Sequence, residues 1–397
     1  MPFTTQVITG LLVLPLYGFA ETETQTSWER ASDWSVADTW FPHLHLHGTG
    51  GFSSGHAADL ASGGHDPRRE SFSAQAIEPG LSLRTEYLEG FSNYLWFQDE
   101  DGDWDGELEE AFGKITRIPG GLEFKGGQFL SRVGALNDKH LHAWDFVDAE
   151  LAPSRFLGED GLLLRGGELS WTPPTLSSPY LTPVFSLGYG NARSHDHAHG
   201  EEGHGDEEHF EAEEGVMSDD IWTARAMLRY RIDDFHSWTG GLSWAGGENG
   251  FGRDSEFVGL DLSYHWRENG LDAGGRAFQW RNEILWRAAD AFEIHDDGAG
   301  PEIHRGNFHE WGMHSHAVYT WHEQLDTSLR IAWVEGVEDF DLDERLRVSP
   351  AVSWWFDPSR RIGLRGQYNF DAIASGQDEH SLWLQLRIAL GSLEEVR

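Results

Sequence analysis

The chain has no cysteine among its 397 residues, few basic side chains and no long apolar run. Without cysteine no disulfide braces the fold and no thiol serves as nucleophile, which suits an oxidising compartment managed without cross-links. Lysine and arginine number 29 against 67 aspartates and glutamates, a formal net charge of −38. So acidic a chain lacks the basic surface that phosphate contact needs, and nucleic acid is excluded as a partner. Past the first twenty residues, no segment stays apolar for the roughly 18 residues that a helical membrane span requires. Gly-x-Ser-x-Gly and P-loop motifs are also missing, and no enzyme is expected.

What is present is alternation. Residues 381–390 read SLWLQLRIAL, with Leu382, Leu384, Leu386, Ile388 and Leu390 on one face and Trp383, Gln385, Arg387 and Ala389 on the other. Residues 361–370 repeat the pattern. A period of two marks a strand with one apolar and one polar face. Strands of about ten residues whose polar face carries arginine suit a transmembrane β-barrel, apolar side outward. A mean hydropathy of −0.50 is compatible with that, since only alternate residues meet lipid. The 19 tryptophans fit interfacial girdles. A soluble β-sandwich is the alternative, but it rarely runs to this length as one domain.

The fold class expected is therefore all-β, a transmembrane antiparallel barrel of about sixteen strands with long extracellular loops. The strands are placed near 43–53, 75–87, 90–98, 107–117, 121–130, 162–172, 181–190 and 221–231. The remainder fall near 237–246, 255–266, 276–287, 308–321, 325–335, 344–356, 361–370 and 380–390. Connections alternate between short, such as 88–89 and 118–120, and mostly longer, such as 54–74, 131–161 and 191–220. Short turns on one rim and long loops on the other are the habit of bacterial outer-membrane barrels. Residues 1–20 read as a signal peptide, 21–42 as a periplasmic lead-in, 43–391 as the barrel and 392–397 as a short periplasmic tail.

ELEEAF (107–112), PGGLEFKGGQFLSRVGALN (119–137), HLHAWDFVDAEL (140–151), RFLGEDGL (155–162) and EHSLWLQLRIALG (379–391) carry a resemblance. They resemble a family of proteobacterial outer-membrane β-barrels similar to phosphate-selective and general porins, often labelled zinc-regulated and sometimes a receptor. The resemblance covers most of 43–391, and Trp144-Asp145-Phe146-Val147-Asp148 is its most specific part. It implies that the loop 131–161 folds into the lumen and narrows it. An external lid is the alternative.

Strand alternation points Arg225, Arg229, Arg231, Arg281, Arg287, Arg330, Arg345, Arg347, Arg365 and Arg387 inward, because an arginine at mid-bilayer costs roughly 2–4 kcal/mol. These arginines either select solutes or pair with nearby carboxylates. The loop brings Asp138, His140, His142, Asp145, Asp148, Glu150, Glu159 and Asp160, which would face the arginines across an eyelet.

Three stretches suggest metal. Residues 191–220 hold His195, His197, His199, His204 and His209 with eleven carboxylates against one arginine, a composition that cannot bury a core. Such a loop either captures Zn²⁺ weakly or is a solvated spacer. His43, His45 and His47 alternate with leucines and line the lumen, as His314 and His316 do more weakly. Asp101, Asp103 and Asp105 match the start of a calcium loop, or else form an acidic turn.

The function expected is passive diffusion of small hydrophilic solutes, leaning towards zinc through the family resemblance. The alternatives are an anion channel using the arginines and a non-conducting barrel that captures metal on its loops. No cofactor is required, with loosely bound Zn²⁺ and Ca²⁺ as candidates. The partners expected are outer-membrane lipid, the barrel-assembly machinery and small ions or solutes, with a homotrimer as the candidate assembly.

Overall fold

Period-two alternation leaves each strand one face for lipid and one for the interior, and only a closed sheet satisfies every backbone group in that setting. The structure, a computed structural model, describes residues 34–54, 65–68, 70–99, 102–193, 216–296, 301–337, 342–374 and 376–391. The signal peptide 1–20, most of the lead-in 21–42 and the tail 392–397 lie outside the described residues.

The first strands are β1 (Trp40–Ser53), β2 (Glu70–Arg84), β3 (Leu88–Gln98), β4 (Trp104–Ile118) and β5 (Leu122–Leu130). A short helix α1 (Leu151–Leu157) follows, then β6 (Leu163–Trp171), β7 (Leu181–Ala192), β8 (Met217–Arg231) and β9 (His236–Asn249). Next are β10 (Asp254–Arg267), β11 (Ala277–Asp296), β12 (Pro301–His322) and β13 (Leu325–Val334). The chain closes with β14 (Arg345–Trp355), β15 (Ile362–Ile373) and β16 (Glu379–Gly391). Each strand pairs with its sequence neighbours, and β16 returns to β1 in a closed barrel. The closing pair is antiparallel, from His43↔Gly391 to Ser53↔Ser381. Closure removes both sheet edges.

Strand count and order agree with the alternation in the sequence, several ends shift by a few residues, and three differences are larger or move a turn. The β2–β3 turn falls at 85–87, where 88–89 was expected. Thr85 and Leu88 close it through backbone and hydroxyl hydrogen bonds of 2.9 to 3.0 Å. β2 begins at Glu70, inside the segment read as loop. β11 and β12 extend to 20 and 22 residues, pairing through Asp296↔Pro301 where a loop had been expected. Polar residues hid that extension, since a hairpin standing beyond the membrane need not alternate.

The outer surface is an apolar belt. Leu384 and Leu260 are 56% and 58% exposed, and Leu242, Ile284, Leu382 and Trp354 share that face. Trp383 and Gln385, between the exposed leucines of β16, are buried inside. Arg387 also points inward, where it donates to the His142 carbonyl.

The interior is not uniformly polar. Phe112, Phe129, Leu164, Ile221, Ala245, Phe257, Leu285 and Ala332 are buried together inside the barrel. On β11, Leu285 shares the inward face with Arg281, Glu283 and Arg287. This apolar patch exists to receive part of the chain itself.

Leu384 lies near the middle of its strand and faces outward. Leu384→Arg is expected to destabilise the barrel in lipid by about 2–4 kcal/mol, read by urea unfolding in vesicles. A loss below about 0.5 kcal/mol would contradict a lipid-facing position.

Candidate functional site: a loop seated inside the barrel

The 32 residues between β5 and β6 follow a strand that ends in Leu130, and they turn into the lumen. Apolar burial seats their second half. Leu151, Ala152, Phe156 and Leu157 of α1 are each at most 2% exposed and join the patch formed by Phe257, Leu285, Ala332 and Val334. Burying a leucine or phenylalanine side chain contributes roughly 1.5–3 kcal/mol. Gly312 of β12 makes this approach feasible, because a Cβ there would overlap Ala152. At seven residues, with Pro153 in its first turn, the helix has little intrinsic stability and depends on this packing.

Polar contacts seat the middle of the loop. The Asp148 carboxylate accepts from Arg330 Nη2 at 2.6 Å and Gln367 Nε2 at 2.6 Å on one oxygen. The other oxygen accepts from Arg347 Nη1 at 2.9 Å and Asn369 Nδ2 at 2.7 Å. Arg365 donates to the carbonyls of Phe146 at 2.8 Å and Trp144 at 2.9 Å. The Val147 amide donates to Gln367 at 2.7 Å, and its carbonyl accepts from Gln75 at 2.6 Å on the far side of the seam. Asp145 pairs with Arg281 at 2.6 Å. Burial alone would raise its pKa, but the charges of Arg281 and then His316 hold the carboxyl down at about 2. Further along, Arg287 donates to the Arg155 carbonyl at 2.8 Å and pairs with Glu310, which Arg155 also meets at 3.0 Å.

The first half of the loop meets chemistry of the opposite sign. His140 sits between two glutamates of β4, Nε2 2.8 Å from Glu110 and Nδ1 2.9 Å from Glu109. Burial disfavours its charged form, but Glu109 and Glu110 outweigh this and lift its pKa well above the ordinary imidazole range. His142 Nδ1 lies 3.0 Å from Glu78 of β2. Its ring stacks on His45 of β1, with centroids 4.0 Å apart. The loop is thus a two-sided plug, histidine towards an acidic wall and aspartate towards a basic one.

The expected residues divide as follows. His140, His142, Asp145 and Asp148 all make lumen contacts, and Asp138 is half-buried at the start of the loop. The external lid is excluded. Arg345 does not meet the loop, because it is held within the wall by Asp371 at 3.1 Å and Glu379 at 2.7 Å. Arg365 meets carbonyls rather than carboxylates. Arg225 pairs with Asp261 at 2.8 Å, and Arg229 lies on the same face of β8, half-buried. The eyelet of charges facing each other across a gap is therefore corrected to charges in direct contact.

His43, His45 and His47 are buried in the lumen at 3 to 7% exposure. They do not converge on one point, since alternate residues of a strand stand about 7 Å apart. His43 instead lies over Gly80, where a Cβ would overlap its ring. His195, His197, His199, His204 and His209 lie outside the described residues, as does Asp101. Asp103 and Asp105 are exposed, and Asp105 and Gly106 already belong to the β4 ladder opposite Phe97 and Trp96. A calcium loop needs those positions curled around an ion. Here Asp99 closes the turn instead, accepting from the amides of Gly102 at 2.8 Å and Asp103 at 2.9 Å.

Sequence reading missed Glu78, Glu109 and Glu110. The register between β3 and β4 shifts at Asn93/Tyr94, so Glu109 is an extra residue opposite the pair. That bulge turns two consecutive glutamates inward, at 7% exposure each. The only signal was a Glu-Glu step breaking the alternation.

No family model matches the chain. An uncharacterized protein of Aquifex aeolicus (strain VF5) is 39% identical over 75 residues, 19% of this chain and 15% of that protein. The chain therefore spans about 15% of the length of the curated relative it matches. Among solved structures, an anion-selective porin from Comamonas acidovorans superposes with a TM-score of 0.56 and 10% identity, covering 89% of this chain and 99% of that one. The fold is that of the outer-membrane porins. The DcaP channel of Acinetobacter baumannii gives 0.53 at 9% identity, covering 90% and 100%. Salmonella typhi OmpF gives 0.53 at 10%, covering 88% and 97%. With its apolar belt, this porin-type barrel resides in the bacterial outer membrane.

Asp148 unites donors from β13, β14 and β15. Asp148→Ala is expected to weaken loop seating by about 3–5 kcal/mol, because Arg330 and Arg347 stay buried without their counter-charge. The loop should become cleavable by protease in the folded barrel and single-channel conductance should rise. Unchanged resistance and conductance would show that seating does not depend on this carboxylate.

Proposed function

We propose that the chain is a passive diffusion channel for small hydrophilic solutes that favours cations over anions. One observation carries the choice of sign. Most arginines that meet the loop or stand beside it are already answered by the protein, while Arg229 and Arg231 of β8 show no ion pair among the described residues. Arg281, Arg330 and Arg347 meet Asp145 and Asp148. Arg287 and Arg345 meet Glu310, Asp371 and Glu379, and Arg365 and Arg387 meet backbone carbonyls. An anion in transit finds few uncompensated guanidinium groups there, while a chain of net charge −38 raises the local cation concentration. The Comamonas barrel is described as anion-selective, but a shared fold does not carry selectivity, which resides in the lining side chains.

Reversal potentials in a potassium chloride gradient test this. The expected sign is cation-selective, and Asp145→Asn, which leaves Arg281 unpaired, should shift the potential towards anions. An anion-selective wild type would reject the reading, as would a channel that carries no current.

The lean towards zinc came from the family resemblance, and the composition of 191–220, whose histidines and carboxylates suit weak capture of a borderline ion, supports it. Weak capture is reversible, which suits delivery to a pore mouth. Deleting 194–214 is expected to leave conductance unchanged and to lower zinc uptake when zinc is scarce. Normal uptake by the deletion strain would reduce the segment to a solvated spacer.

A further inference from the structure

Where the first half of the loop meets the wall, five side chains form a cluster that loop seating alone does not explain. The donor atoms of Glu78, Glu109 and His140 lie within 4.8 Å of one another, and all three residues are buried. Among the described residues, neither Glu109 nor Glu110 makes a lysine or arginine ion pair within 4.0 Å, and the ion-pair partner of both is His140. The contact between Glu109 and His140 is also imperfect. Nδ1 of His140, a residue 2% exposed, is 2.9 Å from the Glu109 oxygen but off the line of a hydrogen bond, and it has no other hydrogen-bond partner.

The surroundings match those of an imidazole built as a ligand. Nε2 is fixed by Glu110 at 2.8 Å, which orients the ring and makes the opposite nitrogen more basic, as carboxylates behind metal-bound histidines do. Glu110 is itself anchored, accepting from the Leu130 amide at 2.6 Å. Asn93 donates one amide group to Glu78 at 3.2 Å and to Glu109, holding the two carboxylates side by side. Its carbonyl accepts from the Glu110 amide at 2.9 Å. The β4 bulge that turns Glu109 and Glu110 inward together makes this arrangement possible.

We infer that His140, Glu109 and Glu78 form a binding site for one borderline divalent cation of the Zn²⁺ class, at the junction of the loop with β2 and β4. One nitrogen and two oxygen donors select such an ion over Ca²⁺ or Mg²⁺, which take oxygen donors. Bonds of about 2.0–2.2 Å set tetrahedral donors roughly 3.3–3.6 Å apart, within side-chain turns of about 1 Å from the present positions. Binding exchanges the Nδ1 proton of His140 for the ion, and the proton leaves to solvent while Nε2–H stays on Glu110. His142, 3.0 Å from Glu78, steadies that carboxylate from behind. Three protein donors leave the fourth tetrahedral position for a water ligand. A second grouping, His65, Glu107 and Asp160, is less suited because Arg193 already supplies a cation to Glu107. The site deepens the channel reading and rests on it for access of the ion to the lumen.

The test is zinc calorimetry on the purified full chain lacking 194–214, which removes the histidine-rich segment as a competing binder. One Zn²⁺ per barrel is expected. Glu109→Gln and His140→Gln should each weaken it at least about tenfold, while Asp145→Asn, on the same loop but outside the cluster, leaves it unchanged. Heat-modifiable migration reports that each variant still forms its barrel, and Glu78→Gln replaces any variant that does not. A parent that binds no zinc overturns the site, as do Glu109→Gln and His140→Gln variants that bind like the parent. Zinc bound by a barrel that carries no current keeps the site and rejects the channel. Current without bound zinc does the reverse.

Discussion

Four donors from three consecutive strands converge on the carboxylate of Asp148, and the position of the lumen loop depends on that convergence. A buried carboxylate is tolerated only when its charge is answered and its lone pairs are filled, and both conditions are met here. The same contact works in reverse for the wall. Arg330 and Arg347 are almost wholly buried, which would be costly without the aspartate that the loop delivers. Barrel and loop therefore stabilise each other, and neither has a satisfied interior alone.

This mutual dependence extends along the loop with a change of sign. Its histidines lie against Glu78, Glu109 and Glu110, its aspartates against Arg281, Arg330 and Arg347, and its helix against an apolar patch. Complementarity of three kinds in one 32-residue segment fixes orientation as well as position, since reversing the segment would set like charges together. It also decides how the arginines are read. As free groups they would argue for anion transport, but as docking partners they hold a constriction in place. Solute selection then falls to what the docked loop leaves unanswered, which includes the excess carboxylate around His140.

The barrel itself was legible because lipid imposes a simple rule. Any outward position must be apolar and any inward one can be polar, so period-two alternation in 381–390 already placed Leu384 outside and Arg387 inside. The strand count followed from counting such segments between turn residues. Entry of 131–161 into the lumen came from resemblance, not from its composition, because an acidic loop reads the same whether it lies inside or outside.

What only the tertiary structure decided are the partners, since the loop's contacts join residues up to 245 positions apart. Sequence alone determined that Asp148, Arg330 and Arg347 exist and that the arginines face inward. It could not say that they meet, nor that Arg345 turns to Asp371 instead. The pair Glu109–Glu110 shows the limit most clearly. Strict alternation sends one of two neighbouring residues outward, and only a one-residue bulge opposite Asn93 brings both into the lumen. Such a bulge is a property of two strands in register, and no single strand's sequence contains it.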